Sequence, residues 1–128
     1  MKLATVKRAS MKPRVVALFA WLAFPLLAGA HAHLEASQPA DGSVVSPFPE
    51  KFVLRFSEPA QLTSLTLLKT GVREPIKISA LPAVTSTEIS IPLHALSVGA
   101  GSYELRYRVL SADGHIMSGN IHFTIANP

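Results

Sequence analysis

The sequence predicts an all-β domain, a two-sheet sandwich of about seven short strands, following an export leader that is cleaved off. Three observations carry this reading. Short segments in which apolar and polar residues alternate recur through residues 34–125, as strands with one buried face do. Proline, glycine and aspartate punctuate the intervals between them. After the first 30 residues no segment has helical periodicity.

The leader comes first. Lys2, Lys7, Arg8, Lys12 and Arg14 form a basic start, an apolar run follows over 15–28, and Ala28 and Ala30 are the small residues before a cut. The run is shorter than the roughly 20 residues of a spanning helix, and Pro25 interrupts it. Residues 1–30 are therefore expected to be a signal peptide and 31–128 the mature domain, with no membrane span in the mature chain.

The elements then follow in order. Residues 34–37 form a first strand, closed by the turn Pro39-Ala40-Asp41-Gly42 and by Pro47-Phe48-Pro49. Phe52, Leu54 and Phe56 alternate with Val53 and Arg55, and Leu65 and Leu67 repeat the pattern after Thr63-Ser64. Ile76 and Ile78, then Ile89 and Ile91, mark two further strands, separated by Leu81-Pro82. Residues 92–96 are read as a short helical turn holding His94, and Gly99-Ala100-Gly101 as a loop. In 103–109 Tyr103, Leu105, Tyr107 and Val109 share one face, opposite Glu104, Arg106 and Arg108. In the last strand Ile121, Phe123 and Ile125 face one way and His122 the other.

Composition narrows the function. The chain carries a net +4, but five of its 12 basic residues and none of its 8 acidic residues lie in the leader. The mature part is thus slightly acidic, and nucleic-acid binding loses its electrostatic basis. No cysteine is present, so neither disulfides nor thiolate metal sites are available.

All 5 histidines lie in the mature part: His31, His33, His94, His115 and His122. A cut after Ala30 would make His31 the first residue, and its free amine and imidazole together can chelate a metal. As the third mature residue, His33 offers a different chelate, using the amine and two deprotonated backbone amides, which suits square-planar copper(II) or nickel(II). That chelate needs a flexible terminus, and a strand starting at Leu34 opposes it. In Ser111-Ala112-Asp113-Gly114-His115, Asp113 and His115 stand at i and i+2. An extended segment would project both to one side, and Gly114 permits backbone angles that let them converge. The same Asp-Gly pair is also an ordinary hairpin turn. Met117 is a weaker candidate, being the one methionine left after Met1 and Met11. No nucleophile triad, phosphate loop or paired-carboxylate motif stands out.

These residues resemble the CopC family of small periplasmic copper-resistance and copper-homeostasis proteins, including its shorter YobA-like members. The matching stretches are His31-Ala32-His33-Leu34, Ser37-Gln38-Pro39-Ala40-Asp41-Gly42-Ser43 and Leu54-Arg55-Phe56-Ser57-Glu58-Pro59. Gly101-Ser102-Tyr103-Glu104-Leu105-Arg106-Tyr107 and the run from Ser111 through His115 to Phe123 complete the likeness. The resemblance implies a Greek-key, immunoglobulin-like β-sandwich and a copper(II) site. Its ligands would be His31, through amine and ring, Asp113 and His115; His33 remains an additional candidate from its position alone. It further implies a periplasmic, monomeric, non-enzymatic carrier or sequestering protein whose partner is a separate CopD-like inner-membrane protein. Some relatives carry a methionine-rich copper(I) site; this chain lacks that motif. The alternatives are a copper-dependent oxidative enzyme with an N-terminal histidine site, and a metal-free interaction domain.

Overall fold

The computed structural model describes Ala4 and residues 31–94, 96 and 98–127. The leader expected in 1–30, Ala4 apart, lies outside them, as does Ala95 within the helical turn expected over 92–96. The described residues form seven strands: β1 (Leu34–Gln38), β2 (Ser43–Val45), β3 (Lys51–Lys69), β4 (Ile76–Lys77), β5 (Thr85–Pro92), β6 (Gly101–Ser111) and β7 (Ile116–Ile125). The fold is all-β, as the alternating pattern predicts. No helix among the described residues is long and apolar enough to cross a membrane.

The expected count is right but the partition differs. The strands expected at 52–56 and 65–67 are one 19-residue strand, β3. Its first half pairs antiparallel with β1 and β5, and its second half with β6 and β4. It therefore passes from one layer of the sandwich to the other. Two breaks hide this continuity. Ser57, Glu58 and Pro59 are all exposed, which interrupts the alternation. Thr63 is then an extra residue between the pairs Leu62–Val109 and Ser64–Arg108, its hydroxyl donating to the Arg108 carbonyl at 3.1 Å. Such a bulge shifts the inward set from Phe52, Leu54, Phe56, Ala60 and Leu62 to Leu65 and Leu67.

β2 was not expected. Three residues carry too little periodicity, and this strand exists by pairing parallel to β7, Ser43 opposite Phe123. Asp41 and Gly42 deliver it: His122 N–H donates to Asp41 Oδ1 at 2.8 Å and Gly42 N–H to the His122 carbonyl at 2.6 Å. β7 also begins at Ile116, earlier than the expected 121.

The core lies between the layers, built on Phe52, Leu54, Phe56, Leu65, Leu67, Ile89, Ile91, Leu105, Val109 and Ile121. Burying apolar surface at about 25 cal/mol per Å² is the main stabilising term, and no disulfide supplements it. Ala32, 2% exposed, belongs to this core and anchors the chain ahead of β1. The inward series of β6 runs Tyr103, Leu105, Val109 and Ser111. Strand parity thus carries a serine into the buried end of the sheet, where its hydroxyl requires a partner.

Candidate metal centre

β6 and β7 form a hairpin whose turn places two candidate ligands. Gly114 has φ +86°, a left-handed conformation that favours glycine. Gly114 N–H donates to the Ser111 carbonyl at 2.9 Å, and Ser111 N–H donates to the His115 carbonyl at 2.8 Å. Asp113 folds back over this turn. Its Oδ1 accepts the His115 N–H at 3.1 Å, and its Oδ2 lies 2.8 Å from His115 Nδ1. The convergence anticipated from an extended i, i+2 pair is real, but its cause is different: a side-chain-capped turn holds the pair.

The third side chain arrives from the other end of the sequence. Buried Ala32 donates its N–H to Ser111 Oγ at 3.1 Å. His33 N–H donates to Ser57 Oγ at 2.9 Å, and Ser57 N–H returns a bond to the His33 carbonyl at 2.8 Å. So held, the segment sets the His31 ring beside the turn. His31 Nδ1 lies 3.3 Å from Asp113 Oδ2, and the two imidazoles meet edge to face with centroids 4.9 Å apart.

One ligand atom from each of His31, Asp113 and His115 lies within 4.8 Å of the others. His31 Nδ1 is shielded from solvent and makes no well-aligned hydrogen bond, although it faces Asp113 Oδ2. A solvent-shielded nitrogen that approaches a carboxylate oxygen without a hydrogen bond suits a shared cation. The His115 ring, and next its backbone N–H, hold the Asp113 carboxyl below the usual carboxylate range, against a smaller opposing effect of burial. Asp113 is therefore an anion throughout the neutral range.

The remaining histidines stand outside this group. His33 is exposed, with its backbone fixed to Ser57. His94 is exposed in a turn after β5. His122 faces outward on β7, as its alternation predicts, beside Asp41 and Glu104. Met117 packs half-buried against the core. Sequence reading missed the roles of Ser57 and Ser111. The available signal for Ser111 was the odd-numbered inward series of 103–109, continued by one step.

A family model for the CopC domain matches residues 34–126. The chain belongs to the CopC family. The match begins after His31 and takes in Asp113 and His115. Among CopC relatives, the chain is 32% identical over 100 residues to protein YobA of Escherichia coli strain K12, covering 75% of this chain and 79% of that protein. It is 32% identical over 106 residues to copper resistance protein C of Escherichia coli, covering 75% and 82%. The crystal structure of CopC from Methylosinus trichosporium OB3b superposes with a TM-score of 0.63 at 27% identity, covering 77% of this chain and 99% of that one. PcoC, a methionine-rich copper resistance protein from Escherichia coli, superposes at 0.56 with 31% identity, covering 75% and 99%.

Proposed function

We propose that the protein is exported to the periplasm, loses residues 1–30, and binds one copper(II) ion through the His31 amine and imidazole, Asp113 and His115. Its role on this reading is to carry or sequester copper in copper resistance and homeostasis, without catalysis. The observation that carries the proposal is the meeting of two imidazoles and one carboxylate within 4.8 Å, with His31 Nδ1 shielded from solvent and without a hydrogen bond although 3.3 Å from Asp113 Oδ2. Copper(II) heads the affinity order of divalent metals for nitrogen and oxygen donors, and its tetragonal preference suits an amine, two imidazoles and a carboxylate. Copper resistance protein C and PcoC, by their names copper resistance proteins, support the assignment.

The exposure of the site fits a carrier. The His115 side chain is 65% exposed and the His31 side chain 45%. An incoming ligand can therefore reach the ion while it is still partly held. The recipient in this scheme is a separate CopD-like inner-membrane protein, and the carrier itself is a monomer.

The test combines mass and metal on one sample. The exported protein is expected to begin at His31 and to bind one copper(II) per chain. It should also lack tryptophan emission, because Trp21 leaves with the leader. A start at another residue, or undiminished copper binding by His115→Ala, overturns the proposal.

A further inference from the structure

The mature N-terminus offers copper(II) two competing chelates. One is the folded site, in which His31 joins Asp113 and His115. The other lies within the first three residues and takes the amine, the backbone nitrogens of Ala32 and His33, and the His33 ring. In that second mode each backbone nitrogen gives its proton to solvent and its lone pair to the metal. The sequence alone leaves both open.

The backbone nitrogens in question are already engaged. Ala32 N–H donates to Ser111 Oγ at 3.1 Å, in a buried setting. His33 N–H donates to Ser57 Oγ at 2.9 Å. We propose that Ser111 and Ser57 are positioning residues that determine which chelate forms, holding both amides as hydrogen-bond donors and so committing the terminus to the folded site. The inference rests on the copper(II) reading above.

The two serines are well placed for this. Ser111 is 3% exposed and is the one buried polar residue among the described residues. Its N–H bonds His115, its carbonyl accepts from Gly114, and its hydroxyl accepts from Ala32. One residue thus ties the terminal strand to the turn that carries Asp113 and His115. Ser57 grips His33 from both sides, with hydroxyl and N–H. To enter the terminal chelate, Ala32 must leave the core and both bonds must break. Two net hydrogen bonds shift the balance between the chelates by roughly tenfold to hundredfold.

The experiment uses the exported protein starting at His31, with copper(II) alone as probe. Wild type, Ser57→Ala, Ser57→Thr, Ser111→Ala and the double alanine variant are titrated, each with and without His33→Ala or His115→Ala. Visible absorption and electron paramagnetic resonance report the donor set, because amide nitrogens impose a stronger ligand field and move the d–d band to shorter wavelength. Thermal unfolding without metal shows which variants fold. Wild-type binding should depend on His115 and not on His33. In the double variant the band should move to shorter wavelength, and affinity should fall roughly tenfold or more on His33→Ala, where wild type changes little. Ser57→Ala should show part of this shift and Ser57→Thr, which keeps the hydroxyl, none. Ser57 is exposed, so its variants decide the matter even if Ser111→Ala does not fold. Wild-type binding that depends on His115, with an unchanged spectrum in the folded serine variants, overturns this inference alone. Wild-type binding that ignores His115→Ala overturns the copper site and this inference with it.

Discussion

The β6–β7 hairpin has a histidine–carboxylate cluster at each end of its length, and only one brings its donor atoms together around a common point. On the outer face, His122 lies between two acids, with Nδ1 3.6 Å from Asp41 Oδ1 and Nε2 3.4 Å from Glu104 Oε2. The acids sit on opposite nitrogens, so their lone pairs diverge, and Glu104 also pairs with Arg106. At the turn, two imidazoles approach a single oxygen, Asp113 Oδ2, from 2.8 and 3.3 Å. The residue types are alike. Convergence separates a surface salt-bridge network from the candidate metal centre, because an ion is bound by lone pairs that share a point.

The sharpest test of this contrast removes one ligand from each cluster. His115→Ala or Asp113→Asn is expected to weaken copper(II) more than about hundredfold, beyond the roughly 10–100-fold cost of losing a supporting neighbour. His122→Ala and His94→Ala should leave affinity within about twofold, as neither joins the site. Competition titration with a chromophoric chelator measures all four. Equal losses at His115 and His122 would break the comparison.

A smaller but diagnostic loss should follow when one glycine is added before His31. The amine then no longer shares a residue with the ring, and the chelate proposed for them cannot form. Affinity should drop, and its pH dependence should change with it. In the native protein, binding should weaken progressively on acidification, because protons compete with the metal for the amine and the two imidazoles. Asp113, held below the usual carboxylate range by His115, should not limit binding until the pH is far lower. Copper titrations of the native and the glycine-extended protein between about pH 5 and 8 check this; identical curves would show that the amine is not a ligand.

Two glycines test the scaffold. At Gly119 an added Cβ would run into the Tyr107 hydroxyl and ring, so Gly119→Ala should cost about 1–3 kcal/mol in urea unfolding. At Gly114 there is open space but φ is +86°, so Gly114→Ala should cost about 1–2 kcal/mol and also loosen the ligand turn. The first variant should spare copper affinity and the second reduce it.

The smallest effect belongs to the outer cluster. Hydrogen bonding from Arg106, chiefly, holds the Glu104 carboxyl below its ordinary range. A lowered folded-state value means that its stabilising contribution is present above the ordinary carboxylate range. That contribution is lost as pH falls through the lowered value. Glu104→Gln should therefore be slightly less stable than wild type near neutrality, with the gap closing in acid, and unfolding midpoints across that range measure it. The exposure of the pair keeps the effect small.

Strand periodicity is local, so 103–109, 52–56 and 121–125 were legible wherever one face is buried without interruption. The order Asp113-Gly114-His115 and the small residues before His31 likewise marked the candidate ligands. The continuity of β3 was not legible, because Ser57, Glu58 and Pro59 and the bulge at Thr63 interrupt the period while the chain stays extended. Nor was β2, whose three residues are strand only because β7 lies beside them.

By itself, then, the sequence determined the all-β class and the family likeness, and it named His31, Asp113 and His115 as candidates beside His33. Only the tertiary structure decided that His31 meets a turn some 80 positions away in the chain, held there by Ala32 N–H on Ser111 Oγ across a separation of 79 residues. It also decided that His33 points elsewhere, with its amide spent on Ser57. Which backbone amides remain free to take a metal depends on long-range hydrogen bonds, and no local pattern encodes them.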